Sequence, residues 1–313
     1  MDGPATHSTH ELTVHTDDGV LLAGEEMWNP THPNPAGAAG DSARPAIVLL
    51  HGLTATRRYV VMGSRLLERS GYRVVAYDAR GHGRSAPAPS ADAYGYERLA
   101  RDLGEVLDAL ALPRAALAGA SMGAQTAVRF ALSHPERVTA LGLVTPAFDP
   151  EAPSGASGGT GAPGVVLTPE GDRDTLARAL REGGVEGFVQ AYDFSTVPLA
   201  WRETVERVVR QRLGSHAHPE AVADALEVVS RSRPFESFAE LGALAVPTVV
   251  VGSRDEVDPG HPLAVAERYS AAIPGATLVV EDGGVGGQPI RSPLAWQGGQ
   301  LSKVLVELLG RVR

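Results

Sequence analysis

The sequence predicts an α/β fold in which a mostly parallel sheet is flanked by helices. The apolar run of residues 46–50 is typical of a strand buried on both faces. From that run onward, strand-like and helix-like segments alternate, and this order requires helical crossovers between parallel strands. The residues Gly-Ala-Ser-Met-Gly at 119–123 lie between a predicted strand and a predicted helix, as a sharp strand-to-helix turn requires.

The elements follow in chain order. Two β-like runs, 11–16 and 20–28, flank the turn Asp17-Asp18-Gly19 and predict a hairpin. The Pro- and Gly-rich residues 29–44 predict a surface loop. The remaining core strands are predicted at 46–50, 72–77, 115–118, 138–144, 246–251 and 277–281. The core helices are predicted at 94–110, 122–133, 262–272 and 296–312.

The alternation breaks at Pro150. Residues 150–164 are rich in Gly, Ser, Pro and Ala, and this composition predicts a mobile segment. Residues 171–232 then show the pattern of several amphipathic helices without a strand. We therefore expect a core domain made of residues 1–149 and 236–313. Residues 150–235 are expected to form a helical lid over the carboxyl ends of the strands, where parallel sheets bind ligands.

Composition narrows the classes of function. The 313 residues carry a net charge of −9, which disfavours binding to nucleic acid or to an anionic membrane. The chain has no cysteine, so disulfides, thiolate metal sites and a cysteine nucleophile are excluded. No apolar run reaches the roughly 18 residues of a membrane span, and the first residues do not resemble a secretion signal. We expect a cytoplasmic protein.

Ser121 is the strongest candidate for chemistry. A Gly-x-Ser-x-Gly turn between a strand and a helix projects its serine above the sheet, near the free N–H groups at the start of the helix. Those N–H groups favour developing negative charge. Gly, Ala and Ser are common in this chain, so the pentapeptide alone could arise by chance. Its position between a strand and a helix favours the interpretation as a nucleophile.

Two further segments strengthen this interpretation. The residues His51-Gly52-Leu53 follow the buried strand 46–50, and Asp78-Ala79-Arg80-Gly81-His82-Gly83-Arg84-Ser85 follow the strand 72–77. Together with the Ser121 turn, in this order, they resemble the α/β-hydrolase family. The resemblance implies that the backbone N–H groups of Leu53 and Met122 form an oxyanion hole. It also implies structural roles for His51 and His82.

The resemblance implies an acid after the strand 246–251. In the family, the acid of the triad follows this strand in a Gly-x-x-Asp-x-x-x-Pro pattern. Gly252-Ser253-Arg254-Asp255, with Pro259, matches that pattern and makes Asp255 the first candidate. Asp258 lies nearby in the sequence, and Asp149 occupies an alternative acid position used by some members of the family. Each aspartate could instead cap a helix or stabilise a turn.

The chain departs from the family at the general base. The family places a histidine after the last strand, but this chain has no histidine beyond His261. Alignment on the Ser292-Pro293 pair puts Arg291 at that position, and alignment by distance from the strand puts Gly287 there. Arginine stays protonated and cannot act as a base, although it could hold an anionic group of a ligand.

Three alternatives remain for the base. His261, in Asp258-Pro259-Gly260-His261-Pro262, could replace it from the loop beside Asp255. His216 or His218 could reach the site from the lid. The third alternative is that the site has no base. The spacing of His216 and His218 could suit a metal, but no third ligand is evident, so we expect neither a metal nor a cofactor.

These observations predict a serine-dependent hydrolase of an ester, thioester or related small acyl compound. Its catalytic residues would be Ser121, Asp255 and, as the first candidate for the base, His261. The serine at the turn argues against the dehalogenase and epoxide-hydrolase branches of the family, which use aspartate there. The missing histidine favours an alternative in another class, in which the fold serves a small-molecule binding protein, a lyase or a cyclase.

Overall fold

The computed structural model describes residues 8–32, 44–151, 170–254, 260–281, 296 and 298–312. Eight strands form one sheet in the order β1-β2-β4-β3-β5-β6-β7-β8. The strands are β1 (Ser8–His15), β2 (Leu21–Trp28), β3 (Ala46–Leu50), β4 (Arg73–Tyr77), β5 (Ala115–Ala120), β6 (Val138–Val144), β7 (Thr248–Gly252) and β8 (Thr277–Val280). The hairpin β1–β2 is antiparallel and joins β4 in antiparallel register, whereas all later neighbours are parallel. The predicted mostly parallel sheet is confirmed.

Helices cover both faces of the sheet. They are α1 (Leu66–Arg69), α2 (Tyr96–Ala109), α3 (Met122–Ser133), α4 (Glu170–Ala191), α5 (Arg202–Leu213), α6 (Pro219–Arg231), α7 (Leu263–Ala272) and α8 (Gly298–Leu309). Side chains of α2, α3 and α7 pack in the core on one face, and those of α1 and α8 pack on the other. The sequence of β3 is continuously apolar because the strand is buried on both faces. Val48 packs in the core on the face of α2, α3 and α7, and Ile47 packs in the core on the face of α1 and α8.

Helices α4, α5 and α6 form an insertion between β6 and β7, and we call them the helical insertion. Their apolar side chains form a core of their own, which also includes Leu53 and Met122 of the sheet domain. The described part of the insertion contains helices and short 3₁₀ turns, as the sequence predicts. Most of the segment 150–164, for which we predict mobility, lies outside the described residues.

A buried ion pair connects three elements at one edge of this fold. The guanidinium of Arg80, in the loop after β4, is fully buried. It donates to both carboxylate oxygens of Asp102 on α2 at 2.7 Å, and to both of Asp18 in the β1–β2 turn at 2.9 and 3.1 Å. These bonds from Arg80 hold the pKa of Asp18 well below its usual value. The pair fixes the loop that follows β4 against the hairpin and α2.

Over the part of the chain that the structure describes, none of the helices combines the length and the apolar character needed to cross a membrane.

Candidate active site

Ser121 occupies the turn between β5 and α3. Its backbone has a φ of 51° and a ψ of −114°, in a region that residues other than glycine rarely adopt. Its N–H donates to the carbonyl of Val144 at 3.0 Å, which fixes the turn against β6. The side chain projects from the carboxyl end of β5 and is only 2% exposed. A strained residue held in this way is typical of a functional position.

The turn requires the two glycines that flank Ser121. A Cβ atom on Gly119 would lie 2.2 Å from the carbonyl carbon and oxygen of Gly123. A Cβ atom on Gly123 would lie 2.1 Å from the carbonyl oxygen of Leu50 on β3. Both distances are far below van der Waals contact, and the obstructing atoms belong to the backbone and cannot rotate away. The Gly-x-Ser-x-Gly pattern therefore reflects close packing of β3, β5 and α3.

His261 lies beside Ser121. Its Nε2 atom is 2.9 Å from Oγ of Ser121, although the two residues are 140 positions apart in the chain. His261 follows β7, directly before Pro262, which caps the first turn of α7. The imidazole is 3% exposed, so the contact is shielded from solvent. Of the three candidate histidines, His261 is the one that the structure brings into hydrogen-bond distance of the serine.

The other two candidates occupy different surroundings. The ring nitrogens of His216 both contact backbone atoms, with Nδ1 2.8 Å from the nitrogen of Gly83 and Nε2 3.1 Å from the carbonyl oxygen of Thr54. His218 is partly exposed, and its Nδ1 atom lies 3.5 Å from the carboxylate of Glu220. In the described ranges, no group of three or more His, Asp or Glu side chains is arranged to hold a metal ion.

The candidate acids and the candidate anion-binding residue are only partly described. Asp255, Asp258, Gly287 and Arg291 lie outside the described residues. Asp149, the alternative acid, follows β6 and accepts a bond from Arg268 of α7 at 2.5 Å. Its other oxygen accepts from the N–H of Glu151 at 2.9 Å, so the structure places Asp149 in an ion pair at the start of the segment that leads to the insertion.

The resemblance implies that Leu53 and Met122 supply the oxyanion donors. Met122 is the first residue of α3, and the N–H groups of a first helical turn have no partner within the helix. The loop after β3 lies against the serine turn, since a Cβ atom on Gly52 would be 3.6 Å from Cβ of Ser121. Within the described ranges, neither the N–H of Leu53 nor that of Met122 has a hydrogen-bond acceptor. Two such buried donors can stabilise an oxyanion.

His51 has a structural environment, as the resemblance implies. The N–H of Ala79 donates to Nε2 of His51 at 2.9 Å, so the ring proton is on Nδ1 and donates to the carbonyl of Gly52 at 2.8 Å. Burial, followed by the proximity of His82, lowers the pKa of His51 to about 4. The neutral ring therefore fastens the loop after β3 to the loop after β4.

Two polar residues near the site were not identified from the sequence. Gln125 lies on α3, one turn after Ser121, and is fully buried. In the amide orientation that satisfies its neighbours, its side-chain nitrogen donates to the carbonyl of Ser121, and its oxygen accepts from the N–H groups of Ala147 at 2.9 Å and Phe148 at 2.8 Å. An amide in an otherwise apolar stretch of a buried helix is the signal that could have pointed to this residue.

The second is Glu281, directly after β8, which is 5% exposed. Its carboxylate accepts from the hydroxyl of Ser253 at 3.1 Å and from the N–H of Arg254. These bonds fasten the end of β8 to the residues that lead from β7 towards Asp255. A carboxylate at the end of an apolar strand is the sequence signal that marks it.

Comparisons with known proteins identify the family of this chain. Residues 45–285 match the family model described as the α/β hydrolase fold. The putative carbamate hydrolase RutD of Variovorax paradoxus is 30% identical over 240 residues, which cover 76% of this chain and 84% of the relative. A 2-hydroxy-6-oxononadienedioate/2-hydroxy-6-oxononatrienedioate hydrolase of Cupriavidus pinatubonensis is 30% identical over 257 residues, covering 79% of this chain and 81% of that protein.

A solved structure supports the same fold. The enol-lactonase of Burkholderia xenovorans superposes with a TM-score of 0.69 at 22% sequence identity, covering 96% of this chain and 100% of the enzyme. The matching relatives and the solved structure are described as hydrolytic enzymes. The serine turn, the parallel sheet and the family match lead to one conclusion: this chain belongs to the α/β-hydrolase family.

Proposed function

We propose that this protein is a serine-dependent hydrolase of an ester, thioester or related small acyl compound, with Ser121 as nucleophile and His261 as general base. The observation that carries the proposal is the 2.9 Å distance between Oγ of Ser121 and Nε2 of His261. A serine hydroxyl is a weak nucleophile alone and becomes an effective one beside a positioned base. The histidine precedes the last strand instead of following it, so the base comes from the start of α7.

The geometry supports a two-step acyl transfer. Oγ of Ser121 forms a bond to the acyl carbon while His261 takes the hydroxyl proton, and the carbonyl electron pair moves to oxygen. The N–H groups of Leu53 and Met122 then stabilise that oxyanion. The bond to the leaving group breaks as His261 returns the proton to it. A water molecule repeats the same steps on the acyl-enzyme and releases the acid.

Two further roles belong to this proposal. Asp255 would orient His261, because it lies in the same loop and matches the position of the family's acid. The helical insertion would act as a lid, because its buried core includes Leu53 and Met122 and thus reaches the two oxyanion donors. A small molecule is the substrate that such a covered site accepts. The relatives include enzymes described as hydrolases of a carbamate and of a dioate.

Ester hydrolysis by matched variants tests the proposal. Steady-state turnover of p-nitrophenyl butyrate is expected to disappear in Ser121→Ala and to fall by about 10²- to 10⁴-fold in His261→Ala, the contribution of a general base. The double variant should be no slower than the slower single variant, because members of one catalytic unit are not additive. His218→Ala is the control and should match the parent, because that imidazole is partly exposed and contacts Glu220.

Two results would contradict the assignment. Turnover by Ser121→Ala at the parental rate would exclude Ser121 as the nucleophile. Parental turnover by His261→Ala would exclude the histidine as the base, whereas a parent without Ser121-dependent ester turnover would favour the alternative, a non-hydrolytic binding protein, lyase or cyclase built on the same fold.

A further inference from the structure

Three buried imidazoles form a row beneath the candidate oxyanion loop, residues 51–54. The ring centroids of His51 and His82 lie 5.1 Å apart, and those of His82 and His216 lie 5.5 Å apart. All three rings are at least nine-tenths buried. His51 and His82 belong to core loops, whereas His216 comes from the helical insertion, between α5 and α6. The row thus joins the insertion to the loop that carries a candidate oxyanion donor.

The first two imidazoles contact consecutive carbonyl groups of the oxyanion loop. His51 donates from Nδ1 to the carbonyl of Gly52 at 2.8 Å. His82 places Nε2 2.5 Å from the carbonyl oxygen of Leu53. The carbonyl of Gly52 and the N–H of Leu53 belong to the same planar peptide unit and point in opposite directions. Holding that carbonyl therefore fixes the direction of the N–H that would bind the oxyanion.

The third imidazole contacts the next carbonyl. The N–H of Gly83 donates to Nδ1 of His216 at 2.8 Å, which leaves Nε2 as the nitrogen that carries the proton. That Nε2–H donates to the carbonyl of Thr54 at 3.1 Å. The neighbouring N–H of Ala217 also donates to the carbonyl of Gly83 at 2.8 Å. The insertion is thereby anchored to the loop after β4 by the His216 ring and the Ala217 backbone, and to the oxyanion loop by the His216 ring.

We propose that His216 is a positioning residue of the oxyanion hole, through which the seated helical insertion holds the loop of Leu53 in its active geometry. The residue does not reach the substrate and acts through the carbonyl of Thr54. The inference rests on the proposed function to the extent that the oxyanion hole is used by Ser121. It gives the helical insertion a role beyond covering the site. If the insertion moved away from the core, the oxyanion loop would lose one of the three imidazoles that contact its carbonyl groups.

The size of the effect follows from the role of the loop. Loss of a whole oxyanion donor costs about 10²- to 10³-fold in kcat. A displaced donor retains part of that effect, so His216→Ala is expected to lower kcat by about 10- to 100-fold. KM should change little, because an oxyanion donor acts on the transition state and not on the bound substrate.

Two isosteric variants separate the two bonds of the ring. The side-chain oxygen of Asn can take the place of Nδ1 and accept from Gly83, but Asn is too short to reach Thr54. The side-chain nitrogen of Gln can take the place of Nε2 and donate to Thr54. His216→Gln is therefore expected to retain most of the parental kcat, and His216→Asn to resemble His216→Ala. His218→Ala, two residues further along, is the control and should behave like the parent.

Hydrogen exchange of the peptide covering residues 51–56 gives a readout that does not need activity. The N–H of Ala55 donates to the carbonyl of Gly52 at 3.0 Å within this turn, so loosening of the loop exposes it to exchange. We expect faster exchange of this peptide in His216→Ala and His216→Asn than in the parent, with His216→Gln close to the parent. Peptides of β3 and β5 serve as the internal reference for global unfolding.

The outcomes distinguish this proposal from the proposed function. Slower kcat with unchanged KM, faster exchange at 51–56 and recovery by Gln would support the role of His216. A rise in KM alone, or unchanged exchange together with unchanged kcat, would overturn it. If the parent shows no Ser121-dependent turnover, the proposed function fails. Exchange of the 51–56 peptide then tests the role of His216 by itself. Faster exchange in His216→Asn than in His216→Gln would support that role, and equal exchange in the two variants would overturn it.

Discussion

At the scale of single residues, the serine turn depends on the space around two glycines. A Cβ atom on Gly123 would meet the backbone of Leu50 at 2.1 Å. Gly123→Ala is therefore expected to lower the free energy of unfolding by about 1–3 kcal/mol, the usual cost of overpacking. It should also displace the serine turn and so lower ester turnover. Urea denaturation and steady-state kinetics measure the two effects.

Gly299→Ala is the matched control. Gly299 lies in α8 and is exposed, and no atom of the described residues lies within 4 Å of the position that its Cβ would take. In the first turn of a helix alanine is at least as favourable as glycine, so this variant should be no less stable than the parent. Equal free energies of unfolding for the two alanine variants would contradict the argument that the serine turn has no space for a Cβ atom at position 123.

The buried histidines predict how stability depends on pH. Burial first, then the proximity of His82, lowers the pKa of His51 to about 4 and that of His216 to about 3. Asp78 nearby raises both values, but by less than these two causes lower them. In the unfolded chain these histidines take up protons near pH 6.5, while the folded chain keeps them neutral. The free energy of unfolding should therefore fall as the pH is lowered from about 6.5 towards 4.

Denaturation at pH 7, 6 and 5 measures this dependence. Each neutral buried histidine contributes a slope approaching about 1.4 kcal/mol per pH unit below its unfolded pKa. His216→Gln removes one titrating group and should make the decline shallower. A parental curve that is flat between pH 7 and 5 would contradict the assignment of neutral, buried rings.

At the scale of elements, the Arg80 ion pair tests how the loop after β4 is held. Arg80→Ala would leave the buried carboxylate of Asp102 without its bidentate partner. Breaking a buried pair from one side costs about 3–5 kcal/mol. Because Arg98 remains bonded to Asp102, we expect a loss near the lower end of that range in urea denaturation. Arg84→Ala is the control, because its guanidinium is 59% exposed and pairs with exposed Glu11. That variant should change stability by less than about 1 kcal/mol.

The elements themselves could be predicted from local patterns. The run 46–50 forms β3, which is buried on both faces because its successive side chains pack alternately in two hydrophobic cores. The predicted hairpin, the crossover helices and the helical block between β6 and β7 are all present in the described structure. Contacts between distant elements could not be predicted in the same way. Sequence alone left three alternatives for the base, because nothing local indicates that His261 folds back to Ser121 across 140 positions.

The same reason explains what was missed at the site. Gln125 and Glu281 are defined by the backbone groups they bind, and those groups belong to neighbouring strands and loops. His216 was considered as a base, yet its ring nitrogens contact Gly83 and Thr54, which lie more than 130 positions earlier in the chain. A resemblance to a family supplies motifs close to the strands. It does not supply contacts made by an insertion, whose sequence follows no shared motif.

At the scale of the whole molecule, one sheet brings together residues from three parts of the chain. Strand β3 leads to Leu53, β5 leads to Ser121, and β7 leads to the loop of His261, all at the carboxyl edge of the parallel sheet. Neighbouring parallel strands necessarily end at the same edge, which is where ligands bind in such folds. A base in the loop after β7, as we propose for His261, therefore lies at the same edge as one in the loop after β8.

The most direct test of Ser121 activated by His261 is the rate of labelling by a fluorophosphonate, followed by mass spectrometry of the intact protein and of its peptides. We predict stoichiometric labelling of the parent at Ser121, no labelling of Ser121→Ala, and labelling of His261→Ala at least about 100-fold slower, as loss of a general base requires. A parent that is not labelled at Ser121, or a His261→Ala variant labelled at the parental rate, would contradict the Ser121–His261 pair.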